Sequence, residues 1–305
     1  MAGNRISVAV IGAGLMGHGI AQVFARAGHS VVITDPDHAA RELAVDHIRR
    51  NLQEEEVDPA PTLLNVSVVG SLEEAVSNAD LVFEAAPEKL ELKQRLFADM
   101  VRNAPRHAVL ASNTSVIPIT RIGEHLDFEA RRRLLGTHWW NPPHLIPLVE
   151  IVRTTYTSER VFDQTYEWLR LVGKKPVKVQ QDVTGFIGNR LQHALWREAI
   201  GLVAAGVCDA ESIDIVVKNS FGMRLPVLGP IENADLVGLE LTRDVHRVLF
   251  PDLGCDKTPS KLLDRLIGEG HTGMKAGQGL RTWTPETAEA VRHKLAAHLI
   301  DITRR

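Results

Sequence analysis

The sequence predicts an α/β fold, a doubly wound and mostly parallel sheet, followed by an all-α domain. Three observations carry this. Short apolar segments recur at 7–11, 30–34, 66–69, 81–84 and 109–111, largely without polar alternation, as expected of strands covered on both faces. Helical stretches separate them through short links, which is the alternation of a parallel sheet. From residue 186 onward helix signals continue and no convincing strand follows. The expected division is therefore 1–184 for the sheet domain and 185–305 for the helical domain.

The first strand, 7–11, runs directly into Gly12-Ala-Gly-Leu-Met-Gly17 and then a helical stretch at 20–27 closed by Gly28. A Gly-x-Gly-x-x-Gly between a strand and a helix is the context a dinucleotide fingerprint requires, so the sheet domain is read as Rossmann-type. Gly12 makes the tight turn, Gly14 lets a pyrophosphate approach the backbone, and Gly17 lets helix and strand pack closely. The N–H groups of the helix start, with Leu15 and Met16 beside them, face the phosphates. The second strand ends in Asp35, where a carboxylate accepts hydrogen bonds from ribose hydroxyls and repels a 2′-phosphate. No arginine follows it immediately. NAD is therefore expected over NADP.

A helix to about residue 52 leads into Glu54-Glu-Glu-Val-Asp-Pro-Ala-Pro61, an acidic, proline-broken connection. The strand at 81–84 is followed by Ala85-Ala-Pro-Glu88 at the sheet edge where ligands bind. The helix 90–101 carries Lys93, which could reach back toward the cofactor, although an exposed lysine on a solvated helix is the commoner case. The strand 109–111 delivers Ser112-Asn-Thr-Ser115 to the same edge; these small polar side chains suit a helix cap or a bound oxygen. A short helix is expected at 118–122 and an amphipathic one at 159–171, before a last strand at 177–179.

Between these lies Thr137-His-Trp-Trp-Asn-Pro-Pro-His-Leu-Ile-Pro-Leu-Val-Glu150. His138 is expected at the end of a strand 133–137, and Glu150 inside a strand 148–152. A stiff turn through Asn141, Pro142 and Pro143 joins them. Adjacent strands would set imidazole and carboxylate side by side, the arrangement of a general base with an orienting partner. Alone, the stretch fits a structural histidine and an arginine-paired glutamate slightly better; the rest of the chain reverses that order in favour of the catalytic reading.

In the second half, a helix at 187–205, apolar almost all round, is expected to be buried in a bundle core or a subunit interface. It carries Asn189 and Arg190 in its first turn. Further helices are expected at 211–217, 230–249, 259–267 and 286–302. With a formal net charge of −3, nothing in the sequence suggests a nucleic-acid or membrane surface, for which a concentrated basic face would be expected. No leader pattern and no apolar run of about 18 residues is present. Cys208 and Cys255 fit neither a disulfide framework nor metal-ligand spacing. A soluble cytoplasmic protein acting on a small molecule, without a metal, is expected.

In order and spacing, these pieces resemble the 3-hydroxyacyl-CoA dehydrogenase family over nearly the whole chain. The resemblance rests on Gly12–Gly17, Asp35, Glu84-Ala-Ala-Pro-Glu88 with Lys93, and Ser112-Asn-Thr-Ser115. It continues through His138-x-x-Asn141-Pro142, Glu150, Gly185-Phe-Ile-Gly-Asn-Arg190, Pro226-x-x-Gly-Pro230 and Lys275-Ala-Gly-Gln-Gly279. It implies a Rossmann-type domain, a helical domain that forms a homodimer, and hydride transfer to NAD. It further implies His138 as base, Glu150 as its orienting partner, and Ser115 and Asn189 around the reacting oxygen. Leu15, Met16, Glu88, Lys93, Asn113, Ser115 and Lys275 would line the cofactor.

Departures from the family pattern concern the substrate. Trp139 and Trp140 stand where two phenylalanines are common, Ile146-Pro147 where many members have a lysine, and Leu280-Arg281 where an aromatic pair is usual. The segment after the second strand is short and acidic. The stretch from His138 to Pro147 is similar to a branch acting on free carboxylates. That branch includes a pyridine-carboxylate dehydrogenase of vitamin B6 breakdown, and gulonate and carnitine dehydrogenases share parts of the stretch. A compact or aromatic free acid is expected, lined by Trp139, Trp140 and Asn141, with Arg224 or Arg281 pairing its carboxylate. The alternatives are a 3-hydroxyacyl-CoA thioester and a non-catalytic NAD-binding protein.

Overall fold

A computed structural model describes residues 5–304. The chain divides into two compact units, one comprising residues up to Asn189 together with those from His298 on, the other residues 190–297.

The first unit begins with β1 (Ser7–Ile11), α1 (Leu15–Arg26), β2 (Ser30–Thr34), α2 (His38–Glu54), α3 (Ala60–Leu63), β3 (Val66–Val68), α4 (Leu72–Val76) and β4 (Leu81–Glu84). It continues with α5 (Leu90–Asn103), β5 (Val109–Ser112), α6 (Ile119–Ile122), α7 (Phe128–Arg132), β6 (Leu134–Trp139), β7 (Leu148–Val152), α8 (Glu159–Leu171) and β8 (Lys175–Val179). The eight strands form one sheet in the order β3-β2-β1-β4-β5-β6-β7-β8. All pairings are parallel except β6 with β7. The strand order reverses between β1 and β4, which is where open α/β sheets bind ligands at their carboxyl ends.

Alternate residues of each strand feed two cores, one per face, because successive strand side chains point opposite ways. Val8, Val10, Leu81, Phe83, Val109 and Ala111 join α1 and α2 on one face. Ala9, Ile11, Val82, Leu110, Leu134 and Val152 pack with Phe97 and Met100 of α5 on the other. Helix starts are capped by side chains: Asp37 accepts the Ala39 N–H at the start of α2, and Ser71 accepts that of Glu74 in α4.

The second unit takes most of α9 (Gly188–Ala204), then α10 (Ala210–Lys218), α11 (Pro230–Val237), α12 (Leu239–Leu249), α13 (Lys261–Gly268) and most of α14 (Pro285–Arg304). The single helix expected at 230–249 is two, broken at Gly238, whose φ of 95° no continuous helix accommodates. Within the single chain the apolar α9 is not buried in a bundle core, the first of its two expected settings: it has no buried residue, and Leu191 and Trp196 are exposed. Throughout 190–297, Ala288 alone is buried. The helices α3 and α7 were not anticipated; each is a single short turn of helix with too few residues to show a period.

Candidate active site

The strand β6 extends further than its apolar pattern suggested and contains His138 rather than ending before it. In the antiparallel register of β6 and β7, His138 stands directly opposite Glu150. The two side chains share the face of Leu134 and Val152, and His138 Nδ1 lies 2.7 Å from Glu150 Oε2. Both are buried.

A turn after β8 completes the carboxylate's surroundings. Gly185 and Phe186 both have positive φ, 75° and 50°, and this left-handed pair swings the chain so that α9 starts at Glu150. The N–H groups of Ile187 and Gly188 donate to Glu150 Oε1 at 2.8 and 2.9 Å. A helix N-terminus is a ready anion site. Burial would raise the Glu150 carboxyl, but the His138 hydrogen bond, the two N–H groups and the His138 charge outweigh it and hold it below the usual range. The pair therefore consists of a carboxylate fixed in its ionised form and an imidazole whose Nδ1 is committed to it.

Trp139 and Trp140 part ways. Trp139 follows His138 within the strand and so projects to the opposite face, packed with Phe24 and Phe83 and under the Lys174 ammonium. It is 2% exposed and does not line the site as expected. Trp140, past the strand end, returns to the imidazole with ring centroids 5.3 Å apart, and the Phe186 ring lies 5.5 Å from it. The turn beyond contains a cis Asn141–Pro142 bond. It is tied down by Lys174, whose ammonium donates to the carbonyls of Pro143 and Ile146. Lys174 was not anticipated; in Gly173-Lys-Lys-Pro176 nothing separates a buried lysine from a surface one.

The carboxyl ends of β4 and β5 hold a second polar group. Lys93 does not project into solvent. It is fully buried, 2.6 Å from Glu84 Oε1, while Ser112 Oγ donates to Glu84 Oε2 at 2.6 Å. Glu88, 3.5 Å from Lys93, accepts the N–H groups of Ser115 and Val116 and the Thr114 hydroxyl. Burial acts to raise the Glu88 carboxyl, but the Thr114 hydroxyl, the Lys93 charge and these N–H groups prevail and lower it. Asn189 Nδ2 donates to the Ser115 carbonyl at 3.0 Å, and Asn113 Oδ1 accepts the Trp139 N–H. Ser115 and Asn189 are thus brought together, and Asn113 ties its turn to the strand of His138. The roles of Glu84, Ser112 and Thr114 were not foreseen, because each looks like an ordinary strand or turn residue until the strands are aligned.

The glycine turn suits a dinucleotide. A side chain on Gly12 (φ 110°) would meet the Ala85 carbonyl at 2.7 Å, and one on Gly17 would meet the Gly12 oxygen at 1.7 Å. Above Gly14 there is open space, Leu15 is exposed, Met16 is partly buried in the core, and no side chain caps α1. Asp35 Oδ2 accepts the Ala13 N–H at 2.8 Å, so the acidic residue is rigidly placed beside this turn. Arg41, which the sequence pattern does not single out, donates to the Asp35 and Pro36 carbonyls. Arg224 and Lys275 lie in the helical unit with both side chains exposed. Arg281 there is paired with Asp214 at 2.7 Å, so its charge is already matched.

This fold, with its glycine turn and Asp35, defines the class: an NAD-dependent dehydrogenase acting on a hydroxyl group. Residues 7–183 match the NAD-binding domain model of 3-hydroxyacyl-CoA dehydrogenase, and residues 185–283 match that enzyme's C-terminal domain model. The chain belongs to the 3-hydroxyacyl-CoA dehydrogenase family. Among curated proteins it is 33% identical to the 5-formyl-3-hydroxy-2-methylpyridine 4-carboxylate 5-dehydrogenase of Mesorhizobium japonicum, covering 98% of this chain and 97% of that one. It is 35% identical to a probable 3-hydroxybutyryl-CoA dehydrogenase of Bacillus subtilis, over 92% and 98% of the two chains. A crystal structure of a 5-formyl-3-hydroxy-2-methylpyridine 4-carboxylic acid 5-dehydrogenase, described as an NAD+-dependent dismutase, superposes with a TM-score of 0.90. It is 32% identical and covers 99% of this chain and 98% of that one.

Proposed function

We propose that this dehydrogenase moves a hydride between NAD and a compact free carboxylic acid bearing a hydroxyl, oxo or formyl group, with His138 as the proton acceptor. The observation that carries the proton chemistry is the His138–Glu150 pair with the Ile187 and Gly188 N–H groups, at the start of α9, on the carboxylate. An ionised Glu150 accepts a hydrogen bond from Nδ1–H and so fixes the ring proton there, which leaves the Nε2 lone pair for the substrate hydroxyl. As the proton arrives, the same carboxylate stabilises the imidazolium. NAD supplies the hydride acceptor; the protein supplies position and the base. Ser115 and Asn189, joined by their hydrogen bond, flank the reacting oxygen. Asp35 takes the adenosine ribose, Gly12, Gly14 and Gly17 cradle the pyrophosphate, and Glu88, Asn113 and the Lys93–Glu84 pair shape the floor toward the nicotinamide.

The near-complete coverage shared with the pyridine-carboxylate dehydrogenase supports a free acid. A thioester is the second reading, favoured by one observation. Glu55 and Glu56, expected to repel coenzyme A phosphates, are engaged by Arg26 and Arg304, which reduces that repulsion. The helical unit, with almost nothing buried, supports a homodimer formed through it. The two free cysteines agree with a cytoplasmic setting.

The test is an initial-rate screen with NAD+ and NADH. Formyl, oxo and hydroxymethyl aromatic acids and acetoacetate are compared with acetoacetyl-CoA. A kcat/KM at least about tenfold higher for a free acid, the discrimination a shaped pocket supplies, is expected. A preference for the thioester overturns the free-acid reading.

A further inference from the structure

Gly188 is glycine for a reason its backbone does not give. Its φ is not among the positive values of the chain, and its N–H bond to Glu150 is available to any residue but proline. What excludes a side chain is Trp140. A methyl carbon on Gly188 would stand 2.4 Å from Trp140 Cζ2, closer than packed atoms come, and 3.3 Å from Cε2 and 3.4 Å from Glu150 Oε2. The indole therefore rests on the bare start of α9. From there it holds its place 5.3 Å from the His138 ring centroid.

The indole also carries a cost that a plain hydrocarbon ring would not. Its Nε1–H is buried and has no acceptor among the described residues, and an unpaired buried donor is unfavourable. Phenylalanine would fill much of the same seat without it. A broad flat face next to the base, unlike the unpaired N–H, bears on what that base can reach.

We infer that Trp140 and Gly188 form a matched pair that determines specificity. The missing side chain of Gly188 seats the indole, and the seated indole walls the base so that a flat aromatic acid stacks beside it. A flexible acyl chain gains no such contact and meets the ring edge. This inference rests on the free-acid reading above.

The experiment compares wild type with Trp140→Phe, Gly188→Ala and the double variant. Each is assayed with aromatic formyl or hydroxymethyl acids and with acetoacetyl-CoA, with NAD+ affinity and thermal midpoint measured alongside. Gly188→Ala should lower kcat/KM for the aromatic acid about tenfold or more, the usual scale of a shape mismatch, with NAD+ affinity within about twofold. In the double variant the loss should largely vanish relative to Trp140→Phe alone, because phenylalanine lacks the indole Cζ2 carbon the methyl strikes. Trp140→Phe by itself should shift the ratio of aromatic acid to thioester toward the thioester by about tenfold. Additive losses, or an unchanged ratio in Trp140→Phe, overturn the pair. Should Gly188→Ala fail to fold, the substrate ratio of Trp140→Phe decides by itself. A wild type that accepts only the thioester sinks the free-acid reading and the aromatic selectivity with it. An aromatic-specific wild type with additive variants sinks the pair alone.

Discussion

At Glu150 one carboxylate oxygen faces two backbone N–H groups and the other faces His138 Nδ1. Every partner favours the ionised form and together they outweigh burial, so the carboxyl is held below its usual range. Replacing it by glutamine removes the charge and allows an amide N–H to face Nδ1, which would move the ring proton to Nε2 and block the base. His138→Ala should lower kcat by about 10²–10⁴-fold, the usual worth of a positioned acid–base group. Glu150→Gln should lower it by about 10²-fold or more, with NAD+ affinity near wild type in both. Steady-state rates and NAD+ titration check this. A near-normal kcat in His138→Ala would assign the proton to another group.

The turn from Asn141 to Pro147 is an element whose polar contacts make it sensitive to acid. Pro143 lies against α1 at Gly19, where a side chain would come within 2.5 Å of its ring. His144 reaches Asn51 of α2 at 3.5 Å. Burial, and then the nearby His18, Lys174 and Arg26, push His144 down to about 4 from its ordinary 6.5. Burial and His47 lower His18 as well. Between pH 6.5 and 4 the unfolded chain thus binds a proton on His144 that the folded chain does not, so stability falls as pH falls through this window. The loss from His144 is at most about 3 kcal/mol. Lys174, lowered by burial to about 8 from 10.5, acts on the alkaline side: between these values stability rises with pH. Urea midpoints at pH 7.5 and 5.0 should drop for wild type and drop less for His144→Asn. Equal drops would show that His144 does not carry the acid sensitivity.

On the scale of the molecule, the sheet unit has two cores, while the helical unit has Ala288 as its one buried residue among 190–297. Ile231, Leu236 and Val248 are each more than 70% exposed. Apolar surface on this scale marks an interface, and a second copy of the chain is the occupant the proposed homodimer assigns. Light scattering at micromolar concentration should give twice the chain's mass. A monomer, or a dimer that survives charged substitutions at Leu236 and Val248, would refute assembly through the helical unit.

Much of this was legible from the sequence, because local rules govern it. The β1–glycine turn–α1 unit, Asp35 at a strand end and the helical second half follow from period and spacing alone. So does the pairing of His138 with Glu150, since a turn between two apolar runs brings them together. The opposite fates of Trp139 and Trp140 were also within reach, because neighbouring strand residues face opposite ways; extending β6 by two residues would have separated them. Only the tertiary structure decided the rest. The N–H groups that hold Glu150 are main-chain atoms and leave no mark in residue identity. Gly188 reads as one more glycine until Trp140 is seen resting on it. The burial of Lys93 and Lys174 depends on the carboxylate and carbonyls they meet from distant segments. Those interactions join residues far apart in the chain, and their energy depends on distances that no spacing along the chain encodes.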